Sequence, residues 1–274
     1  LTPDSFSDGG RLASTEAVRR QALRMLAAGV DLLDLGAQST RPGAAMVGAS
    51  EELRRLMPAL RAVLELRRDH PRLTVSIDTF EAAVAEAALA EGADWINDVR
   101  GANHSPDGPG GSLRDPAMLP LIARAGCPYV LMHSRGSSTS MDGRAVYGEV
   151  ATQVRDELLA ATAEALTAGV RPEQLIWDPG LGFAKTTDHN LSLLRDLDVL
   201  AAEGYPLLVG PSRKRFIGAV LSEPRPRARV WGTASVCALA LARGAAVLRV
   251  HDVGPIVQTA RMAAAVLRGQ AEPG

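Results

Sequence analysis

"AAGVDLLDLG", residues 27–36, carries the pattern on which the fold turns: the end of a helix-compatible stretch, a glycine, then a short apolar run interrupted by aspartate. Gly29 sits where a helix C′ glycine belongs, and the run behind it has the composition of a buried strand. The junction recurs as "AEGADWINDV" (90–99), "RAGCPYVLMH" (124–133), "TAGVRPEQLIWDP" (167–179), "AEGYPLLVG" (202–210) and "ARGAAVLRVHD" (242–252), with Gly92, Gly126, Gly169, Gly204 and Gly244 in the place of Gly29. A seventh junction uses "DHP" (69–71) ahead of "LTVSIDTF" (73–80). The runs are nearly continuous in Val, Leu and Ile rather than alternating, as parallel strands covered on both faces should be.

Helical patterns over roughly 14–28, 50–68, 80–91, 115–125, 147–168, 187–203, 231–243 and 254–268 separate these runs. Two have recognisable starts: Ser50 before Glu51 and Glu52, and Asp115 with Pro116 at the first helical position. Eight helices against seven strands point to a (β/α)8 TIM barrel, which needs eight of each. The strand lacking is the one that would precede "LTPDSFSDGG" (1–10), itself a loop by composition. The sequence therefore predicts an α/β chain forming a single domain over 1–274, N-terminally truncated, with barrel strand one missing. A doubly wound sheet also alternates strand and helix, but no glycine-rich nucleotide fingerprint follows any strand.

A hydrophobic content of 46% supports a large core, and a formal charge of -1 leaves no whole-molecule footprint for nucleic acid or an anionic membrane. Cys127 and Cys237 lie in apolar surroundings without metal-ligand spacing, which reads as two buried structural thiols in a reducing compartment. With no membrane-length apolar run and no secretory leader pattern, the expected location is the cytoplasm. Lys185 and Lys214 are the sole lysines among 30 basic residues, the rest being arginine. Such a bias invites a chemical reason for both.

Polar residues cluster where each strand should end, the face on which barrel enzymes keep their chemistry. The ends read "DLGAQSTRPGA" (34–44), "SIDTF" with Asp78, "INDV" with Asn97 and Asp98, "LMHSRG" with His133, "WDPGLGFAKT" (177–186), "VGPSRKRF" (209–216) and "RVHD" with Arg249 and His251. Strand alternation would put Arg249 and His251 on one face. Asp78, Asn97 and Asp178 suit a flat heterocycle rich in N–H groups, whereas Arg41, Arg249 and His251 suit an anion that arginine can hold through paired hydrogen bonds. A lysine beside a ring donates to carbonyl or nitrogen atoms through one mobile ammonium.

Together, "TPDSFSDGG", "QSTRPGA", "SIDT", "INDV", "DPGLGFAKT", "SRKRFIG" and "RVHDV" resemble the dihydropteroate synthases, pterin-binding TIM-barrel enzymes, in the family's order along essentially the whole chain. The resemblance implies a transferase of folate biosynthesis that condenses 6-hydroxymethyl-7,8-dihydropterin diphosphate with p-aminobenzoate to give 7,8-dihydropteroate and pyrophosphate, with Mg2+ as cofactor. It implies that Asp78, Asn97, Asp178 and Lys214 hold the pterin, with Arg249 stacking on it. Thr40, Arg41, Arg249 and His251 would hold the pyrophosphate, and Phe6, Thr40, Pro42, Phe183 and Ser212 the p-aminobenzoate. Asp4 and Asp8 would close over the reacting centre, with Asp8 near the metal and Asp4, Asp8, Arg249 and His251 as the catalytic set. It also implies a homodimer through the last helices and a place among sulfonamide targets. The family's asparagine just before the position of Leu1 is missing, Ala37 replaces a usual glycine, and Arg215 stands where many members have serine. Pterin-dependent methyltransferases share the barrel and the "SIDT" and "INDV" sites but lack "STRPG" and "SRK". A catalytically silent pterin-binding homologue would be free to lose the first two loops, which are largely intact here.

Overall fold

The computed structural model describes residues 14–38, 47–106 and 112–270. Within them, seven parallel strands follow one another in chain order: β1 (Leu32–Gly36), β2 (Thr74–Asp78), β3 (Trp95–Asp98), β4 (Tyr129–Met132), β5 (Leu175–Asp178), β6 (Leu207–Val209) and β7 (Ala245–Leu248). Strictly sequential parallel order requires a helical crossover between neighbours, and the α/β barrel follows from it. Among the described residues no ladder joins β7 to β1, in keeping with the expected gap. The sheet curls far enough for Arg249, just past β7, to reach Asp34 of β1, its Nε 2.7 Å from Oδ2.

The helices are α1 (Thr15–Ala27), α2 (Ala49–Leu64), α3 (Ala82–Glu91), α4 (Met118–Ala125), α5 (Val150–Thr167), α6 (Thr187–Arg195), α7 (Asp198–Ala201), α8 (Arg215–Leu221), α9 (Val230–Ala242) and α10 (Val253–Arg268). All six junction glycines have positive φ, from 70° at Gly126 to 117° at Gly92, the left-handed conformation that ends a helix at least cost without a Cβ.

Several helix limits differ from the sequence expectation. Gly48, not Ser50, precedes α2, and Ser50 lies inside its first turn. Asp115 starts a turn rather than α4: its Oδ1 accepts from Ala117 N, while Oδ2 accepts from Ala82 N and so caps α3 across 33 residues. The stretch expected as one helix over 187–203 breaks at Asp196, the C-cap of α6. Helix α8 was not anticipated, since its seven residues, "RFIGAVL", are too short to show a period. Cys127 is only half-buried, whereas Cys237 is buried, and both are free thiols.

The strands sort their side chains by parity. Leu33, Leu35, Val75, Ile77, Ile96, Tyr129, Leu131, Leu175, Trp177, Leu207 and Val209 join the main core between sheet and helices. On the opposite parity, Trp95, Val130, Ile176, Leu208 and Val247 form a separate apolar cluster inside the curl. The barrel is thus packed, and its inner cluster is a floor. Two residues past Trp95, Val130, Ile176 and Val247 come Asn97, Met132, Asp178 and Arg249, and past Leu208 comes Gly210, so four side chains rise above that floor.

Asp98 has the parity of the outer layer and is buried there. Tyr129 Oη donates to its Oδ2 at 2.7 Å and Arg100 N to its Oδ1 at 2.8 Å. Burial pushes its pKa from the ordinary 3.8 up to about 6. Because the folded value is the higher one, the ionised carboxylate weighs against folding increasingly as pH rises through this range. Tyr129→Phe removes the stronger of its donors. Denaturant melts should show a loss of roughly 1–3 kcal/mol at about pH 8 and a clearly smaller loss at about pH 5, where the carboxyl takes up its proton.

Candidate active site

The strand register aligns the polar ends. Asp78 of β2 is opposite Asn97 of β3, and Met132 of β4 is opposite Asp178 of β5. Phe80, Val99, Met132 and half-buried Phe183 make a small apolar cluster beside them. The mouth is therefore an apolar platform edged by carboxylates, an amide and cations, which suits a flat polar ring. Asn97 is 3% exposed and its Oδ1 has no protein donor. A buried acceptor left unpaired costs on the order of 1–3 kcal/mol, which an N–H group of a ligand would recover.

Arg249 binds two carboxylates from two strands: Nε donates to Asp34 Oδ2 at 2.7 Å and Nη2 to Asp78 Oδ2 at 2.6 Å. Burial works against both acids. At Asp34 the Arg249 guanidinium and a hydrogen bond from Ser76 outweigh it, so the pKa falls below the ordinary value. At Asp78 burial wins, with Asp34's charge adding to it against Arg249, and the pKa rises to about 6. The sequence reading set Asp78 on the ring and Arg249 on both ring and anion; in the structure the two are one ion-paired cluster. Asp34 was overlooked as a partner, although its parity matches Ser76, its register neighbour, and points the same way.

Alternation does not extend to His251, because β7 ends at Leu248. Arg249 crosses to β1 and β2, while His251 turns back to the loop after β6. There Ser212 Oγ accepts from His251 N at 3.1 Å and lies 2.9 Å from Nδ1. Burial, then Arg213 and Arg249, depress the His251 pKa to about 3, so the ring offers a neutral donor rather than a cation. A second tie runs alongside, for Arg213 holds Asp252 with Nε–Oδ2 at 2.9 Å and Nη2–Oδ1 at 2.6 Å. Sequence reading missed this pair. The adjacency of Arg213 to Ser212 and of Asp252 to His251 was the available signal.

Asp178 is buried and its Oδ1 accepts from Gly180 N at 2.7 Å. Burial raises its pKa against the opposing effect of that bond and of Lys214, Arg249 and Lys185. Gly180 has φ 66°, and a Cβ there would lie 1.8 Å from the His133 carbonyl oxygen, so only glycine fits. Lys214 Nζ donates to Leu181 O at 2.7 Å and lies 4.5 Å from the Phe183 ring centre. Burial lowers its pKa to about 8, with Asp178 opposing. Arg215 points away, to an exposed pair with Asp142. Asp4, Phe6, Asp8, Thr40, Arg41 and Pro42 lie outside the described residues.

The pterin binding enzyme family model matches residues 1–251, and the chain belongs to that family. Within it, the chain is 44% identical over 267 residues to the dihydropteroate synthase of Synechocystis, covering 97% of this chain and 88% of that one. The dihydropteroate synthase of Xanthomonas albilineans with 4-aminobenzoic acid superposes with a TM-score of 0.84 at 39% identity, covering 100% of this chain and 91% of that one. The Yersinia pestis dihydropteroate synthase in a sulfonamide drug complex gives a TM-score of 0.88 at 36% identity, with 98% and 92% covered.

Arg249→Met leaves two buried carboxylates facing each other. Urea melts at about pH 8 should show a loss on the order of 2–4 kcal/mol, short of the penalty for a wholly enclosed pair because the Arg249 side chain is 41% exposed. Adding Asp34→Asn removes one of the unpaired charges and should restore about half of that loss.

Proposed function

We propose that this chain catalyses the dihydropteroate synthase reaction. The observation that carries the reading is the mouth itself: Asp78, Asn97, Asp178 and Lys214 meet around the Phe80, Val99, Met132 and Phe183 platform, with the Asn97 acceptor unpaired. Carboxylates and an amide oxygen accept from the amino and N–H groups of a pterin, and Lys214 donates to its carbonyl or ring nitrogen. Arg249 and the neutral His251 ring would sit at the side where the diphosphate oxygens gather charge. In the reaction the bond from the pterin methylene to the diphosphate oxygen breaks and the oxygen keeps the electron pair. The p-aminobenzoate nitrogen bonds to that carbon and gives up a proton, which the departing diphosphate or solvent takes. Positive charge that develops beside the ring would fall near Asp178 and the carboxylates paired with Arg249, and the exposed part of the Arg249 guanidinium would meet the departing oxygens, so the fixed charges favour the transition state without a protein nucleophile.

Magnesium belongs to the proposal through Asp8 and the substrate's own phosphate oxygens. Among the described residues no three His, Cys, Asp or Glu side chains gather to hold a metal ion, and sparse protein ligation is what this cation usually receives beside phosphates. When bound, it would neutralise the leaving group. The residues of this chain that orient the pterin do so independently of it. p-Aminobenzoate would rest against Phe183 and Ser212.

The chain should release pyrophosphate and form 7,8-dihydropteroate when given both substrates and Mg2+; pterin binding without turnover would instead mark a silent homologue. Asp178→Asn should keep the bond from Gly180 N yet weaken pterin binding by roughly 1–3 kcal/mol by calorimetric titration, since an amide NH2 then opposes a ring donor. A homodimer also belongs to the proposal. Trp231 and Leu239 of α9 and Met262 and Val266 of α10 are more than half exposed, and the two helices pack side by side. Leu239→Lys with Val266→Lys should convert a dimer to a monomer in sedimentation velocity. Among the described residues no helix is long and apolar enough to cross a membrane, and a cytoplasmic location fits the reading.

A further inference from the structure

Both lysines of the chain grip the same turn, from opposite sides. The turn between β5 and α6 alternates into the left-handed region at Gly180, Gly182 and Ala184, with φ of 66°, 77° and 46°. Ala184 is a non-glycine residue fully buried in that conformation, which persists only where neighbours enforce it. The alternation turns successive carbonyls to different sides. Lys214 takes the Leu181 carbonyl at 2.7 Å, and its chain lies against Gly182, where a Cβ would come within 3.1 Å of Lys214 Cδ. Lys185 takes the other side: its Nζ donates to Gly180 O at 3.1 Å and Phe183 O at 3.2 Å, and lies 2.9 Å from His133 Nδ1.

Three ammonium hydrogens thus meet three acceptors, and the side chain is 7% exposed. Accepting at Nδ1 fixes the His133 tautomer, so Nε2–H donates to Glu157 Oε2 of α5 at 3.0 Å. Glu157 is also paired with Arg135, whose guanidinium lies 3.9 Å over the Tyr147 ring. A chain of charged and polar groups therefore runs from the turn through His133 at the end of β4 to α5. A planar guanidinium has no three-cornered donor set of this kind, which accounts for lysine at 185 in a chain that otherwise uses arginine.

We propose that Lys185 is a positioning residue: by tying the Gly180 and Phe183 carbonyls to His133, it holds the turn in the conformation in which the Leu181 carbonyl and the Phe183 ring fix the Lys214 ammonium, and through Lys214 it sets affinity for the pterin ring. The proposal rests on the pterin-binding reading of the mouth. Lys185 touches no substrate in this role.

The experiment is a double-mutant cycle of Lys185→Met and Lys214→Met, with the dissociation constant of a pyrophosphate-free hydroxymethylpterin measured by calorimetric titration and folding checked by thermal melts. With Lys214 present, Lys185→Met should weaken the pterin about tenfold or more, whereas in the Lys214→Met background it should change affinity by less than about twofold. Lys185→Arg should not rescue binding although it keeps the charge. Equal losses in the two backgrounds would show that Lys185 acts apart from Lys214 and would overturn the proposal, as would unchanged affinity in Lys185→Met or full rescue by Lys185→Arg. If Lys185→Met does not fold, His133→Leu, which removes the nitrogen acceptor alone, is run through the same cycle with the same outcomes. A parent chain that does not bind the pterin at all would overturn the functional reading and this proposal with it, whereas a binding parent without coupling overturns this proposal alone.

Discussion

Arg249 ties the last described strand to the first two. It leaves the end of β7 and holds carboxylates on β1 and β2, the strands that chain order places farthest from it. The tie joins residues 215 apart in sequence and brings two strand-end carboxylates to one cation. The same guanidinium sets the charge state of the mouth. It keeps Asp34 ionised and limits how far burial raises Asp78. The contact between the ends of β7, β1 and β2 and the polarity of the site therefore share one residue.

Strand parity explains why a site can be so polar without unravelling the barrel. The outer parity carries the large aliphatic and aromatic residues that bind sheet to helices, and Trp177 even finds a partner there for its indole N–H, 2.9 Å from Thr162 Oγ1. The inner parity needs only an apolar floor of five residues, and above it every position is available for chemistry. Asn97 and Asp98 show how sharp the division is. They are adjacent in sequence, yet one faces the mouth with an unpaired oxygen and the other sits in the outer layer under Tyr129.

The barrel was legible because its determinants are local and repeated. Gly29, Gly92, Gly126, Gly169, Gly204 and Gly244 each report one backbone conformation, and each is followed by a run whose composition reflects burial on both faces. The polar strand ends were legible for the same reason. What escaped notice was set by distance in sequence. Asp115 caps α3 rather than opening α4, because a carboxylate accepts from whichever N–H the fold delivers. The short helix α8 takes its stability from packing of Phe216 and Ile217, not from period. The Arg249–Asp34 and Lys185–His133 pairs join residues 215 and 52 apart, and no local pattern announces either.

Burial pulls the charged groups of the mouth toward neutrality from both directions. It lowers Lys214 to about 8 and Lys185 to about 7, and raises Asp78 to about 6. The chain alone thus holds its charges against a desolvation penalty, offset by pairing acid with base. A ligand that brings N–H groups to the acids and anionic oxygens to the cations relieves both strains at once, because each contact favours the charged form of the group it touches. A neutral apolar ring of the same size would relieve neither. Under the proposed function, selectivity for a ring that carries both donors and an anion would follow from the penalty itself. The more completely the platform of Phe80, Val99, Met132 and Phe183 excludes water, the larger the share of binding energy that depends on matching charge and hydrogen-bond pattern.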